Sequence, residues 1–325
     1  MLTLDPPEHT RLRAALSAAM PPERIRMLRP KIEAVTHNLV ARLSKHEMEP
    51  FDIIAELALP LPVRVITQLL GIPFEDQSLI QKWSLSLLKA DLEEPDRTNA
   101  IADDIDTYLR TLATEKQLFP DDSVMSVFVQ TKGQKSLSIE EISAMGFLLL
   151  TAGHETSVNL IANGVLSLLS APSTWRRLCA DPSIAAAIVE EVLRFESPLE
   201  FATPRYVTED MIIDGQNMCR GDLVFVGLGT ANRDPLMFSE PNVFDIDRKN
   251  SAYHVAFGQG IHSCPGSNLA RLEGQFVFAA LASHLPNLEL AVAPETLRWV
   301  PGLVMRGLVE LPVRRSADHP KSSQS

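Results

Sequence analysis

Apolar residues recur every three or four positions along most of the first half of the chain, the spacing that gathers them on one helix face. In "LDPPEHTRLRAALSAAM", Asp5 is placed to cap a helix, Pro6 occupies its first turn, and Glu8 stands three residues after the cap. "PPERIRMLRPKIEAVTHNLVARLSKH" continues at helical spacing, and Pro30 is expected to bend it or to start a new segment. Further helices are expected at about 60–70, 75–90, 95–117 and 122–131. "SIEEISAMGFLLLTAGHETSVNLIANGVLSLLS" is the longest helical run. Ser138 and Glu141 make a capping-box pattern at its start, and Pro172 lies beyond its end. Apolar residues cover most of its surface, which places it in the middle of the molecule. "DPSIAAAIVEEVLRFESP" is a further helix, closed by Pro198.

Then the period shortens. "FATPRYV", "MIID" and "DLVFVGLG" are short β-like runs with the turns "DGQ" and "RGD" between them. A last helix is expected to begin near Cys264 and run through "NLARLEGQFVFAALASHL", and two or three short strands close the chain. The expected fold is mainly α with small β-sheets, one domain over residues 1–313, with the polar residues 314–325 as a disordered tail.

Composition narrows the function. The 325 residues, 45% of them hydrophobic, suffice for a sizeable core. Thirty Lys and Arg against 41 Asp and Glu leave a net charge of −11, which argues against a nucleic-acid binder. Cys179, Cys219 and Cys264 are too few and too scattered for a disulfide framework, so a reducing, cytoplasmic setting is expected. "MLTLDPPEHTRLR" does not read as a signal peptide, and "AMGFLLLTAG" is too short to span a bilayer, so no membrane partner is expected.

Cys264 sits in "FGQGIHSCPG", after two glycines and before a helix. A buried structural thiol needs no glycines at fixed offsets. Zinc needs about four ligands, and His262 with Cys264 finds no second pair of matching spacing. A nucleophile wants a nearby base, and His262, two residues away in an extended turn, points to the opposite side. An axial metal ligand accounts for the whole stretch. Gly258 and Gly260 let the backbone turn tightly against a flat cofactor, and the helix N-terminus favours a thiolate.

This stretch resembles the haem-binding loop of the cytochromes P450, F-G-x-G-x-H-x-C-x-G in its bacterial form. Six fixed identities within ten positions put a chance match on the order of 10⁻⁹ to 10⁻⁸ per starting position at average residue usage. "AGHET" (152–156) resembles the family's oxygen-activating motif. The resemblance gives Ala152 and Gly153 the room for dioxygen, and Glu155 and Thr156 the delivery of protons. Taken alone, Thr156 would more often be a helix residue bonded back to a carbonyl. "EVLR" (191–194) is the family's E-x-x-R, which implies a buried structural network of Glu191, Arg194 and a second arginine, Arg248 before Arg233. The resemblance also implies haem b with Cys264 as the axial thiolate, propionates held by His9, Arg13, Arg205 and His262, and contacts from Phe257, Gly258 and Ala152.

The resemblance covers essentially the whole chain and implies a cytochrome P450 fold that is N-terminally truncated, beginning near the family's C helix. Implied for the intact protein is a haem-thiolate monooxygenase that inserts one oxygen atom of O2 into a hydrophobic small molecule, with electrons from a separate ferredoxin or flavodoxin-type donor. Arg11, Arg13, Arg24, Arg26, Arg29 and Lys31 against Glu23, six positive charges less one negative, give a local net of +5 where such a donor would dock. Solvated, scattered arginines are the plain alternative. Residues around 80–90, 145–152 and 199–203, chiefly apolar, are expected to line the substrate pocket. Two other functions stand beside this one: a peroxide-driven oxygenase, against which the Glu155–Thr156 pair counts, and a non-catalytic or inactive truncated haem-protein fragment.

Overall fold

A computed structural model of the chain describes residues 1–46, 48–88, 95–133 and 136–317. Among these, α1 (Glu8–Ala19) and α2 (Pro22–Leu43) come first. Pro7, not Asp5, holds the cap position of α1, and no side chain bonds the first turn. α2 continues through Pro30 without starting a new segment. The one backbone bond that proline forfeits is outweighed by the apolar stripe of Ile25, Leu28, Ile32, Leu39 and Leu43, all buried. α3 (Pro60–Leu70), α4 (Gln77–Leu88), α5 (Pro95–Leu118) and α6 (Val124–Gln130) follow close to the expected spans. The last residues expected in the fourth helix, 89 and 90, lie outside the described residues.

The long apolar run forms two helices, α7 (Ile139–Ala152) and α8 (Glu155–Leu169). The capping box is present at its start: Glu141 N–H donates to Ser138 Oγ at 3.2 Å, and Ser138 N–H donates to Glu141 Oε2 at 3.0 Å. The interruption has a local cause. His154 Nδ1 bonds the Leu150 carbonyl, and Thr156 Oγ1 donates to the Ala152 carbonyl at 3.2 Å. Those are the acceptors that a continuous helix reserves for the backbone N–H groups of the same two residues.

α9 (Pro172–Ala180) and α10 (Ala185–Phe195) lead into a meander holding α11 (Leu228–Ala231), and α12 (Ser267–His284) packs on α2, α8 and α10. Gly164 lets α8 approach α12, because a Cβ there would stand 2.2 Å from the Phe278 ring. The sheets are small and antiparallel. β1 (Phe51–Asp52) and β6 (Leu288–Leu290) flank β7 (Pro312–Arg315), with Val313 opposite both Phe51 and Leu290. β2 (Arg205–Tyr206) pairs with β5 (Leu223–Val224), and β3 (Met211–Ile213) with β4 (Gln216–Met218). Phe201 makes only an isolated bridge to Gly227. β7 continues two residues past Val313, and Arg315 donates to the carbonyls of Ser44 and His46, so Arg314 and Arg315 belong to the fold and not to a tail. Residues 318–325 of the expected tail lie outside the described residues. Among the described residues, no helix is long and apolar enough to cross a membrane.

Candidate functional site

The loop between the meander and α12 is shaped by its glycines. Gly258 and Gly260 take φ of 66° and 81°, the left-handed region that side chains avoid. Phe257 O accepts the Cys264 N–H at 2.9 Å, and Gly260 O accepts the Ser263 N–H at 3.0 Å, which closes the loop on itself. Cys264 lies just before α12, whose first turn begins at Ser267, slightly later than expected. Cys264 is exposed as a residue, yet its sulfur lies in a recess where desolvation raises the thiol pKa. The Gly266 N–H, Arg13 and Arg271 work against that rise and favour the thiolate.

Beside the recess stands a knot of four basic side chains, His9, Arg13, Arg205 and His262, with Asp5 close enough to act on it. The rings of His9 and His262 are 4.3 Å apart, and Arg13 donates to the Ser263 carbonyl. Burial, then repulsion from His9 and Arg205, holds the His262 imidazolium below its usual pKa, with Arg13 adding to the effect and Asp5 opposing it. Among the described residues Arg205 bonds its neighbours, Thr203 and the Pro204 carbonyl. His9 is 2% exposed, and neither ring nitrogen has a hydrogen-bond partner. Buried donors without acceptors are costly, and so is gathering basic side chains in one place. A dianion placed among them would satisfy both, and the two propionates of haem are such a group. At Gly258 and Gly260 an added Cβ would meet no protein atom within 4 Å, so open space lies where a flat ring would rest. The residues fit the cofactor.

The α7–α8 interruption presents Ala152, which is exposed although it belongs to the central helical run. Glu155 opens α8, and burial pushes its carboxyl above the usual range. Thr156 is partly exposed, and its hydroxyl is the one bonded to Ala152 O. Ser157, the next residue, faces Glu273 of α12. Glu273 is fully buried, neither carboxyl oxygen has a well-formed hydrogen bond, and burial raises its pKa to about 8.

The E-x-x-R pair is completely enclosed. Arg194 Nε and Nη2 donate to Glu191 at 2.8 and 2.7 Å, and its remaining hydrogens reach the carbonyls of Asn232, Pro241 and Val243. Arg248 is the second arginine, 3.5 Å from Glu191, whereas Arg233 pairs with Glu196 instead. The basic stretch is less free than its sequence reads, because Arg11 pairs with Glu141, Arg26 with Glu23, and Arg29 lies 5.0 Å over the Phe276 ring.

Sequence reasoning passed over three residues beside the loop: Glu190, His254 and Arg271. Arg271 lies 4.6 Å over the Phe257 ring and forks onto Glu190, which also meets His254. The Glu190–Arg271 pair spans 81 positions, so no local spacing marks it. Residues 303–305 were missed as well. Leu199 bridges Met305 and Glu200 N–H donates to Val304 O, which sets that segment beside the expected pocket residues 199–203.

A helical fold that holds one cysteine in a glycine-turned loop, with a knot of basic side chains beside it, defines a haem-thiolate protein. A family model described as "Cytochrome P450" matches residues 183–304. Over 317 residues the chain is 39% identical to polyketide biosynthesis cytochrome P450 PksS of Bacillus subtilis (strain 168), covering 97% of this chain and 78% of the relative. It is 41% identical to cytochrome P450 107B1 of Saccharopolyspora erythraea, covering 98% and 77%. The structure of PksS superposes with a TM-score of 0.91 at 38% identity, covering 96% of this chain and 80% of that one. The structure of P450BioI in complex with a hexadec-9Z-enoic acid-ligated acyl carrier protein gives 0.88 at 35% identity, with the same coverage. The chain belongs to the cytochrome P450 family, bacterial haem-thiolate monooxygenases that bind haem b and use O2 and a redox partner.

Proposed function

We propose that Cys264 supplies the axial thiolate, that His9, Arg13, Arg205 and His262 bind the haem propionates, and that Phe257, Gly258 and Ala152 bound the ring. The basic knot carries this reading. Among the described residues the buried His9 nitrogens lack partners, the basic groups outnumber the opposing Asp5, and the knot adjoins Cys264. Haem, when bound, supplies the activation of O2 and the transfer of one oxygen atom to substrate.

The chain's own residues prepare that chemistry. Gly266 N–H and Arg13 hold negative charge on Cys264 Sγ. Glu155, desolvated at the start of α8, holds a proton more firmly than an exposed carboxyl and offers it towards Thr156. Thr156 Oγ1, released from the Ala152 carbonyl, would hold a proton beside Ala152. A hydrophobic small molecule is the substrate. Support comes from Leu148, Leu199 and Phe201, with Leu303 and Val304 added alongside. Part of the expected lining, 85 and 87–90, falls outside the residues whose side chains are described. Electrons come from a ferredoxin or flavodoxin-type protein. Among the described residues Arg29 and Lys31 carry no salt bridge and are the docking charges left after Arg11 and Arg26 are paired, while Arg24 has a buried Nη1.

A carbon monoxide difference spectrum of the dithionite-reduced chain, supplied with haem, tests the ligand. The red-shifted Soret band of a thiolate complex is expected, and Cys264→Ser abolishes it. The shorter-wavelength band of a lost thiolate in the parent chain overturns the assignment and favours the inactive fragment.

A further inference from the structure

Two consecutive glutamates on α10 serve two separate networks. Glu191 holds Arg194, Arg248 and the Asp245 N–H, and so fastens the meander. Glu190 turns instead to the cysteine loop. Its Oε1 accepts Arg271 Nε at 2.6 Å, and its Oε2 accepts Arg271 Nη2 at 3.0 Å and His254 Nε2 at 3.1 Å. The tautomer of His254 is fixed by its other nitrogen, because Nδ1 accepts the Ala256 N–H at 3.2 Å and the ring proton therefore sits on Nε2. His254 precedes the loop and Arg271 follows it, one turn into α12. One carboxylate thus ties both ends of the segment that carries Cys264. The arginine reaches the loop's interior as well, lying over Phe257, whose carbonyl accepts the Cys264 N–H.

We infer that Glu190 is a positioning residue for Cys264, acting through His254 and Arg271, and that the Glu190–Arg271 pair sets the net charge felt at the sulfur. The inference rests on Cys264 being the iron ligand. A bidentate guanidinium–carboxylate pair fixes orientation as well as distance, and a half-buried one is screened less than a surface pair. Arg271 alone would pull electron density from the ligand. Glu190 opposes that pull and keeps the guanidinium over the Phe257 ring.

The test separates charge from position. In haem-loaded protein, Glu190→Gln leaves Arg271 uncompensated and raises the iron midpoint potential, whereas Arg271→Met leaves Glu190 uncompensated and lowers it. The double variant returns the potential towards the parent value. In cofactor-free protein, each single variant and the double variant speed amide exchange across 257–266 about tenfold, while exchange in the Glu191 network stays as in the parent. Potentials that shift in one direction in both single variants, or loop exchange equal to the parent's, overturn the inference. A parent chain without the thiolate carbon monoxide band overturns the ligand assignment instead, and the exchange measurement still decides whether Glu190 orders the loop.

Discussion

Glu191 and Arg194 face each other one helical turn apart with no exposed surface on either side chain, in a two-point bond of 2.7 and 2.8 Å. Five further hydrogen bonds, to the carbonyls of Asn232, Pro241 and Val243 from Arg194 and from Asp245 N–H and Arg248 to Glu191, leave neither charge unpartnered. Such a pair contributes little net stability over an apolar one, but breaking it strands a charge in the interior. Arg194→Ala is expected to cost about 3–5 kcal/mol, read as a lower denaturation midpoint and loss of soluble protein. Arg233→Ala, which removes a half-exposed partner of Glu196, is expected to cost about 1 kcal/mol or less.

The fully buried Glu273 makes stability depend on pH. Its folded pKa is raised by burial from the ordinary 4.5 to about 8. Between those values the unfolded chain has released a proton that the folded chain keeps, so stability present below pH 4.5 is lost as pH rises through about 8. The loss is on the order of 5 kcal/mol at most. Glu273→Gln keeps the shape and removes the titration, and its denaturation midpoint is expected to be flatter across that window than the parent's.

Gly260→Ala isolates the backbone requirement. The residue sits at φ 81° with no protein atom near the added methyl, so the cost is conformational, about 1–2 kcal/mol. Denaturation of the cofactor-free chain measures it. Haem titration is expected to show a larger loss, because the methyl then occupies the space left for the ring.

Arg205→Gln removes one charge from a knot in which basic groups outnumber the opposing Asp5. The cofactor-free chain is expected to hold or gain stability, while haem affinity falls about tenfold, the worth of one charge-assisted bond. Opposite signs in denaturation and haem titration are the signature of a site built for an anion.

Thr156→Ala frees the Ala152 carbonyl that the hydroxyl occupies. Oxygen consumption is expected to persist while product per O2 falls several-fold, and Ser in place of Thr restores most of the coupling. Product and O2 measured together decide it, and unchanged coupling rules out Thr156 as the proton donor.

Local patterns predicted what local physics controls. Helical spacing located α2, α3, α5, α6 and α10, and the Ser138–Glu141 signature located the start of α7, because caps and amphipathic faces are written within a few residues. The cysteine loop was legible for the same reason, since its two left-handed positions demand glycine. Apolar spacing could not show the break after Ala152, which arises from two side chains competing with the backbone for its acceptors. Nor could it join Glu190 to Arg271 or pair Arg11 with Glu141, and the preference for Arg248 over Arg233 came from the family resemblance alone. Those contacts join residues 57, 81 and 130 positions apart, and only the packing of α10, α12 and α7 brings them within bonding distance. The sequence determined which residues could carry charge and turn the chain. The tertiary structure decided which charges meet, because Coulombic and hydrogen-bond partners are chosen by distance in space and not along the chain.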